Sequence, residues 1–107
     1  MGKQITPKEA GTLCDNFDTR YAELSKLIKK DDNRSVLFSL QEIKNYINYL
    51  ENAKTNVDGI RVYFGAHDTK DGGLATVFLA PTQGGEDDKS LNCLNYGANG
   101  NPPFNKY

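Results

Sequence analysis

Two hydrophobic periodicities divide the chain. From Ala10 to Ile28 the apolar residues Ala10, Cys14, Phe17, Tyr21, Leu24 and Ile28 recur at spacings of four and three. Leu13 and Leu27 widen the stripe. This pattern predicts one amphipathic helix running to about Lys30. Its start is marked by Thr6-Pro7-Lys8-Glu9: Thr6 can cap, Pro7 suits the first helical position, and Glu9 completes a capping box. Lys26, Lys29 and Lys30 fall in the last turn, where cations suit the negative end of the helix dipole. Asp31-Asp32-Asn33-Arg34 reads as a turn, and Ser35-Val36-Leu37-Phe38 as a short extended segment. A second capping box, Ser39 with Glu42, opens a second helix ending near Ala53, with Phe38 and Ile43 at the staple positions. Its stripe is Leu40, Ile43, Ile47 and Leu50, flanked by Tyr46 and Tyr49.

After Asn56-Val57-Asp58-Gly59 the period changes to strict alternation. Ile60, Val62, Phe64 and Ala66 face one way, and Arg61, Tyr63, Gly65 and His67 the other, which predicts a strand. Asp68 through Gly73 is a polar connection suited to a hairpin or a slightly longer loop. Leu74 to Ala80 is apolar on both sides, as an interior strand would be, and Pro81 is expected to stop it. Gly84 to Lys89 reads as a solvated loop. The stretch from Leu91 to Phe104 mixes turn residues with apolar anchors, so it is expected to pack on the domain with an irregular backbone. The predicted architecture is a single α+β domain over residues 1–107. Its core, residues 6–82, holds two antiparallel helices packed on one face of a small, mainly antiparallel sheet. Residues 83–107 form an irregular C-terminal segment packed on that core.

Four blocks stand out together: Ser35-Val36-Leu37-Phe38-Ser39-Leu40, Gly59-Ile60-Arg61-Val62-Tyr63-Phe64-Gly65-Ala66, Thr76-Val77-Phe78-Leu79-Ala80-Pro81-Thr82, and Leu94-Asn95-Tyr96-Gly97 with Gly100 and Pro102-Pro103. The set resembles a group of short, uncharacterised bacterial proteins with the same order of blocks. The resemblance spans about Asn33 to Tyr107 and implies that the blocks belong to one fold. It brings no activity and no catalytic residues.

Composition narrows the function classes. A hydrophobic share of 37% with 25% charged residues suits a globular domain with a modest core. Thirteen basic against 14 acidic residues leave a net charge of -1, without the basic excess a nucleic-acid partner requires. Lys26, Lys29 and Lys30 are followed directly by Asp31 and Asp32. Met1-Gly2-Lys3-Gln4 leads into no apolar run, Thr6-Pro7 is a poor continuation of a myristoylation start, and no stretch is long and apolar enough for a membrane span. A cytoplasmic protein without a membrane partner is therefore expected. Cys14 and Cys93 are most simply free thiols, with Cys14 buried on its helix face; a disulfide between them is the alternative.

Candidate chemistry is sparse. His67 is the only histidine, so a zinc site would need it together with both cysteines and a carboxylate. Asp68, Asp71 and Glu86-Asp87-Asp88 lack the ligand spacing of a calcium loop and read as solvated acidic turns. The glycines lack the strand-to-helix context of a phosphate loop, and no nucleophile sits in an elbow. A Cys93–His67 nucleophile and base would rest on residue identity alone. No metal or cofactor is expected. The more informative set is Arg61, Tyr63 and His67. If the helices cover the Ile60, Val62 and Phe64 side, these three lie on the opposite face, bordered by the C-terminal segment with Asn95 and Tyr96. Gly65 would admit close approach to the backbone, and Arg61 offers a fork for a carboxylate or phosphate. The competing expectation is that Arg61 pairs with an acidic residue or the chain terminus while the C-terminal segment covers this face. The expected function is a noncatalytic binding or protein-interaction module, whose partner is a protein segment, a second copy or a small anionic ligand. A small enzyme using Tyr63 or His67 for proton transfer and a self-assembling structural protein are the alternatives.

Overall fold

Both capping boxes close. In the computed structural model, which describes residues 2–95 and 98–99, helix α1 spans Pro7–Ile28 and helix α2 spans Leu40–Glu51. Thr6 Oγ1 accepts from the Glu9 amide at 3.1 Å and Glu9 Oε1 accepts from the Thr6 amide at 3.1 Å. Ser39 and Glu42 repeat the arrangement at 3.0 and 3.1 Å. Each box satisfies amides that the first helical turn leaves without partners. Helix α1 stops two residues before the predicted end because Lys29 turns left-handed (φ 61°). The Lys30 amide then donates back to the Ser25 carbonyl at 3.1 Å. That closure usually uses glycine, since a side chain in this conformation is strained.

The chain is α+β: two helices and a three-stranded antiparallel sheet. Strand β1 (Val36–Leu37) precedes α2, and β2 (Gly59–Ala66), β3 (Ala75–Gln83) and β4 (Glu86–Asp87) form the sheet in that order. Strand β5 (Ala98–Asn99) pairs antiparallel with β1. The predicted connection after β2 is one turn of 3-10 helix, Thr69–Asp71, in which Asp68 accepts from the Lys70 amide at 3.2 Å.

Strand β3 runs through Pro81, contrary to the expected stop there. The hydrogen-bonding direction explains why. Leu79 exchanges both its backbone bonds with Leu94 (2.8 and 3.0 Å). Residues of β3 with the same parity, Pro81 included, therefore aim their backbone away from β2. The missing Pro81 N–H costs no bond to β2, and its carbonyl accepts from Asp88 at 2.8 Å.

Among the described residues that second edge of β3 has no continuous strand beside it, and its polar groups are met piece by piece. Near its start, Asp32 Oδ1 accepts from the Ala75 amide at 2.7 Å and Asn33 Nδ2 donates to the Ala75 carbonyl at 2.9 Å. Asn95 Nδ2 then donates to the Val77 carbonyl at 2.9 Å. Leu94 serves Leu79, Asp88 serves Pro81, and β4 pairs Thr82 and Gln83. Asp32 and Asn33 are buried, so what reads as a turn is a side-chain clamp joining the end of α1 to β3. The Asp32 amide donates in turn to Ser25 Oγ at 2.9 Å.

The core is small. Tyr46 and Leu50 of α2 pack with Leu79, supported by Phe38, Ile43, Val57, Leu91 and Leu94. Directly opposed residues of an antiparallel pair share a face, so the Val62–Leu79 pairing puts the α2-covered face on the predicted Ile60, Val62 and Phe64 side. The cover is centred on β3. Ile60, Val62 and Phe64 remain 41%, 53% and 91% exposed, contrary to the expectation that both helices bury them. A helix of 12 residues forms a strip about 10 Å wide, the width of about two strands, and Tyr46 and Leu50 seat it on Leu79 of β3. Helix α1 adds no buried residue of its own. It is tied instead at its C-terminal half, where Arg34 bridges Asp18 at 2.8 Å and lies 3.9 Å over the Tyr21 ring.

Two substitutions of opposite sign test this account. Asp32→Ala leaves buried amides of Asn33 and Ala75 without acceptors and should cost about 2–4 kcal/mol in chemical denaturation. Lys29→Gly relieves the left-handed cap and should stabilise by about 1 kcal/mol, read as a higher melting temperature.

Candidate functional site

The two-residue turn Gly84-Gly85 positions the site. Both glycines have positive φ (60° and 84°), the geometry of a tight hairpin whose twist matches its strands. Gln83 is thereby paired with Glu86 and Thr82 with Asp87. The run expected to be a solvated loop is a hairpin, and it delivers Asp87 to the face carrying Arg61 and Tyr63.

Arg61 and Tyr63 converge on that carboxylate. Arg61 Nη1 donates to Asp87 Oδ1 at 3.0 Å and Nη2 donates to the Gly85 carbonyl at 2.6 Å. The Tyr63 hydroxyl donates to the other oxygen, Asp87 Oδ2. Interaction with Tyr63 first, and the Asp87 charge second, hold the Arg61 guanidinium above its ordinary value. The expected pairing of Arg61 with an acidic residue is thus met by Asp87. The Tyr63 ring stacks on its cross-strand neighbour Phe78, with centroids 5.0 Å apart and planes at 17°. Beside them lies a cavity of about 200 Å³ lined in part by Tyr63, Phe78, Asp87, Lys89, Leu91 and Cys93.

The other predicted site residues are distributed differently. His67 lies just beyond β2, exposed, with its amide donating to the Leu74 carbonyl at 2.9 Å. Six residues of extended chain place it about 20 Å from Arg61, so it does not join the Arg61–Tyr63–Asp87 cluster. Asn95 is part of the β3 edge, its Nδ2 shared between the Val77 carbonyl and Thr76 Oγ1 (2.9 and 3.3 Å). Tyr96 lies outside the described residues. Cys14 and Cys93 are free thiols; Cys93 is exposed and Cys14 partly so, where full burial was expected. Among the described residues no three His, Cys, Asp or Glu side chains gather as metal ligands, and no helix is long and apolar enough to cross a membrane.

The residue that sequence reading missed is Asp87. Its signal was present: Gly-Gly after a strand marks a two-residue hairpin, which returns the acidic run alongside Thr82. A second carboxylate, Asp88, is held below the ordinary range chiefly by the Ser90 hydroxyl. On the other face, Tyr46 donates to the Asn92 and Leu79 carbonyls at 2.8 and 3.3 Å.

A larger depression, about 300 Å³, lies on that other face between α2 and β2, lined by Ile47, Leu50, Val57, Gly59 and Ile60 among others. It grades into the exposed strip of Val62 and Phe64. Among the described residues the sheet thus carries a self-satisfied polar cluster with a small cavity on one face and an open apolar strip along its edge strand on the other.

Because Arg61 is half-exposed, its ion pair is screened by water. A double-mutant cycle of Arg61→Ala and Asp87→Ala should give a coupling no larger than that of an ordinary surface ion pair, and one that falls further with added salt. The core tyrosine sets a pH limit. Burial first, with Cys93 and Tyr49 adding, pushes the Tyr46 phenol up to about 12. Its ordinary value is about 10. The neutral form is thus favoured on folding, and the linked stability is complete below about pH 10 and lost as pH rises towards 12. Tyr46→Phe should lower stability at neutral pH by about 1–2 kcal/mol and flatten the alkaline limb of melting temperature against pH.

Comparison with protein-family models, with curated proteins and with solved structures yields no match for this chain.

Proposed function

We propose that the protein is a noncatalytic interaction module whose binding surface is the outer side of β2 with its apolar face. The observation that carries this reading is the exposure of Ile60, Val62 and Phe64 on an eight-residue strand that pairs on one side only among the described residues. A long edge strand is a template for further pairing, and proteins commonly blunt such edges with lysine, proline or a bulge. Strand β2 contains neither lysine nor proline, and its register with β3 is unbroken from Gly59 to Ala66. Its one charge, Arg61, is turned across β3 to Asp87. Contiguous exposed apolar surface marks interaction sites.

Two further observations favour this reading over a small enzyme or an anion-binding site on the Arg61 face. The cavity beside Tyr63 is smaller than the roughly 300–1,000 Å³ of small-molecule sites. An anion at Arg61 would have to displace Asp87 and the Gly85 carbonyl, both already bonded to it. The near-neutral charge suits a protein partner better than a nucleic acid. With this reading go a cytoplasmic setting and kinship with the short bacterial proteins that the sequence blocks resemble.

A photo-crosslinking amino acid in place of Phe64, introduced into the chain inside cells, tests the reading. An intermolecular adduct from position 64, with none from the same probe at the exposed Lys8 of α1, is expected. Crosslinks confined to the chain's own residues, or none at position 64, would contradict it.

A further inference from the structure

Resting on that reading, we propose that the partner at the β2 edge is a second copy of this chain, paired antiparallel about a twofold axis through Val62. The bonding parity of the sheet sets the choices. His67 donates to Leu74, and Leu79 bonds Leu94 rather than β2. Arg61, Tyr63 and Gly65 therefore bond inward to β3, and Ile60, Val62, Phe64 and Ala66 direct their N–H and C=O groups outward. A second β2 can meet those groups only in a register that keeps the two faces matched.

Centring the twofold on Val62 meets that condition and sets large against large. Val62 then faces Val62 of the second copy, and Ile60 faces Phe64 of the second copy. Pairings between β-branched and aromatic residues are the favoured cross-strand contacts. On the opposite face Arg61 lies across from Tyr63 of the second copy, whose hydroxyl carries an Asp87 carboxylate. Positive charge thus meets a cluster bearing negative charge, not the other guanidinium. Centring one residue later would keep a Val62–Phe64 pairing, but it would oppose Ile60 to Ala66 and Arg61 to a glycine and bring the two Tyr63–Asp87 carboxylate clusters face to face. A net charge of -1 per copy adds almost no repulsion.

The available area sets the strength. Phe64, at 91% exposure, presents on the order of 200 Å². With Ile60, Val62 and the strand edge, the contact stays below the roughly 800 Å² per partner of a standard stable interface. The dimer is therefore a reversible one, with a dissociation constant in the micromolar range, and the depression beside Ile47 and Ile60 lies at its margin.

Sedimentation velocity of the purified full chain over a wide concentration series tests this. The wild type should pass from monomer to dimer. Val62→Lys, which opposes two ammonium groups at the axis, should weaken association at least tenfold while melting normally, because Val62 is exposed. Ile60→Glu and Phe64→Lys should each weaken it similarly, and the double variant should restore it, since the introduced carboxylate and ammonium then face each other across the axis. A wild type that stays monomeric throughout, a dimer indifferent to Val62→Lys, or a double variant no better than its parents would overturn the proposal. If the purified chain is monomeric while the probe at position 64 captures a different protein in cells, the second copy is excluded and the interaction reading stands.

Discussion

The fold depends on satisfying the edge of β3 that faces away from β2. Buried backbone groups without partners cost about as much as a lost hydrogen bond each, and among the described residues no single strand receives them. Pieces from distant parts of the chain provide the partners between them. These are the Asp32-Asn33 clamp at Ala75, Asn95 at Val77, Leu94 at Leu79, Asp88 at Pro81, then β4. This one requirement gathers the end of α1, the β4 hairpin and the segment after it around a single strand. It also explains the small core, because Leu79 is the position where α2, the Leu91–Leu94 segment and the sheet coincide.

With β3 flanked on both sides, the open pairing capacity of the sheet among the described residues lies at β2. The polar groups of its face are closed on themselves through Arg61, Tyr63 and Asp87, whereas its other face leaves Phe64 in solvent. The asymmetry is a consequence of placement: the single short helix α2 is seated on Leu79 of β3, and α1 is tied to the clamp rather than laid over β2. A domain with so few buried apolar residues has little stability to spare, and association through the open strand would add to it by mass action.

Local chemistry was legible in the sequence where a single rule decides it. The capping boxes at Thr6 and Ser39, and the alternation from Ile60 to Ala66, appear in the structure within a residue or two. Pro81 misled because proline's cost depends on which way its N–H would point, and that follows from register, which composition does not contain. Asp32 and Asn33 read as a turn because burial of polar residues is decided by a strand more than forty positions away in sequence. For the site, the side on which Arg61 and Tyr63 lie was legible, and so was the pairing of Arg61 with an acidic group. Asp87 as the partner needed the hairpin at Gly84-Gly85, and the separation of His67 needed only the length of an extended strand. The exposure of Phe64 was hidden, since periodicity tells which residues share a face but not how far a covering layer reaches.

Amide hydrogen exchange resolved by residue, measured on the monomeric fraction, tests the edge assignment most directly. Arg61, Tyr63, Gly65 and His67 should be protected, Val62 and Phe64 should exchange rapidly, and Ala75 and Leu79 should be as slow as the core. Uniform protection along β2, or rapid exchange at Ala75 and Leu79, would contradict the account.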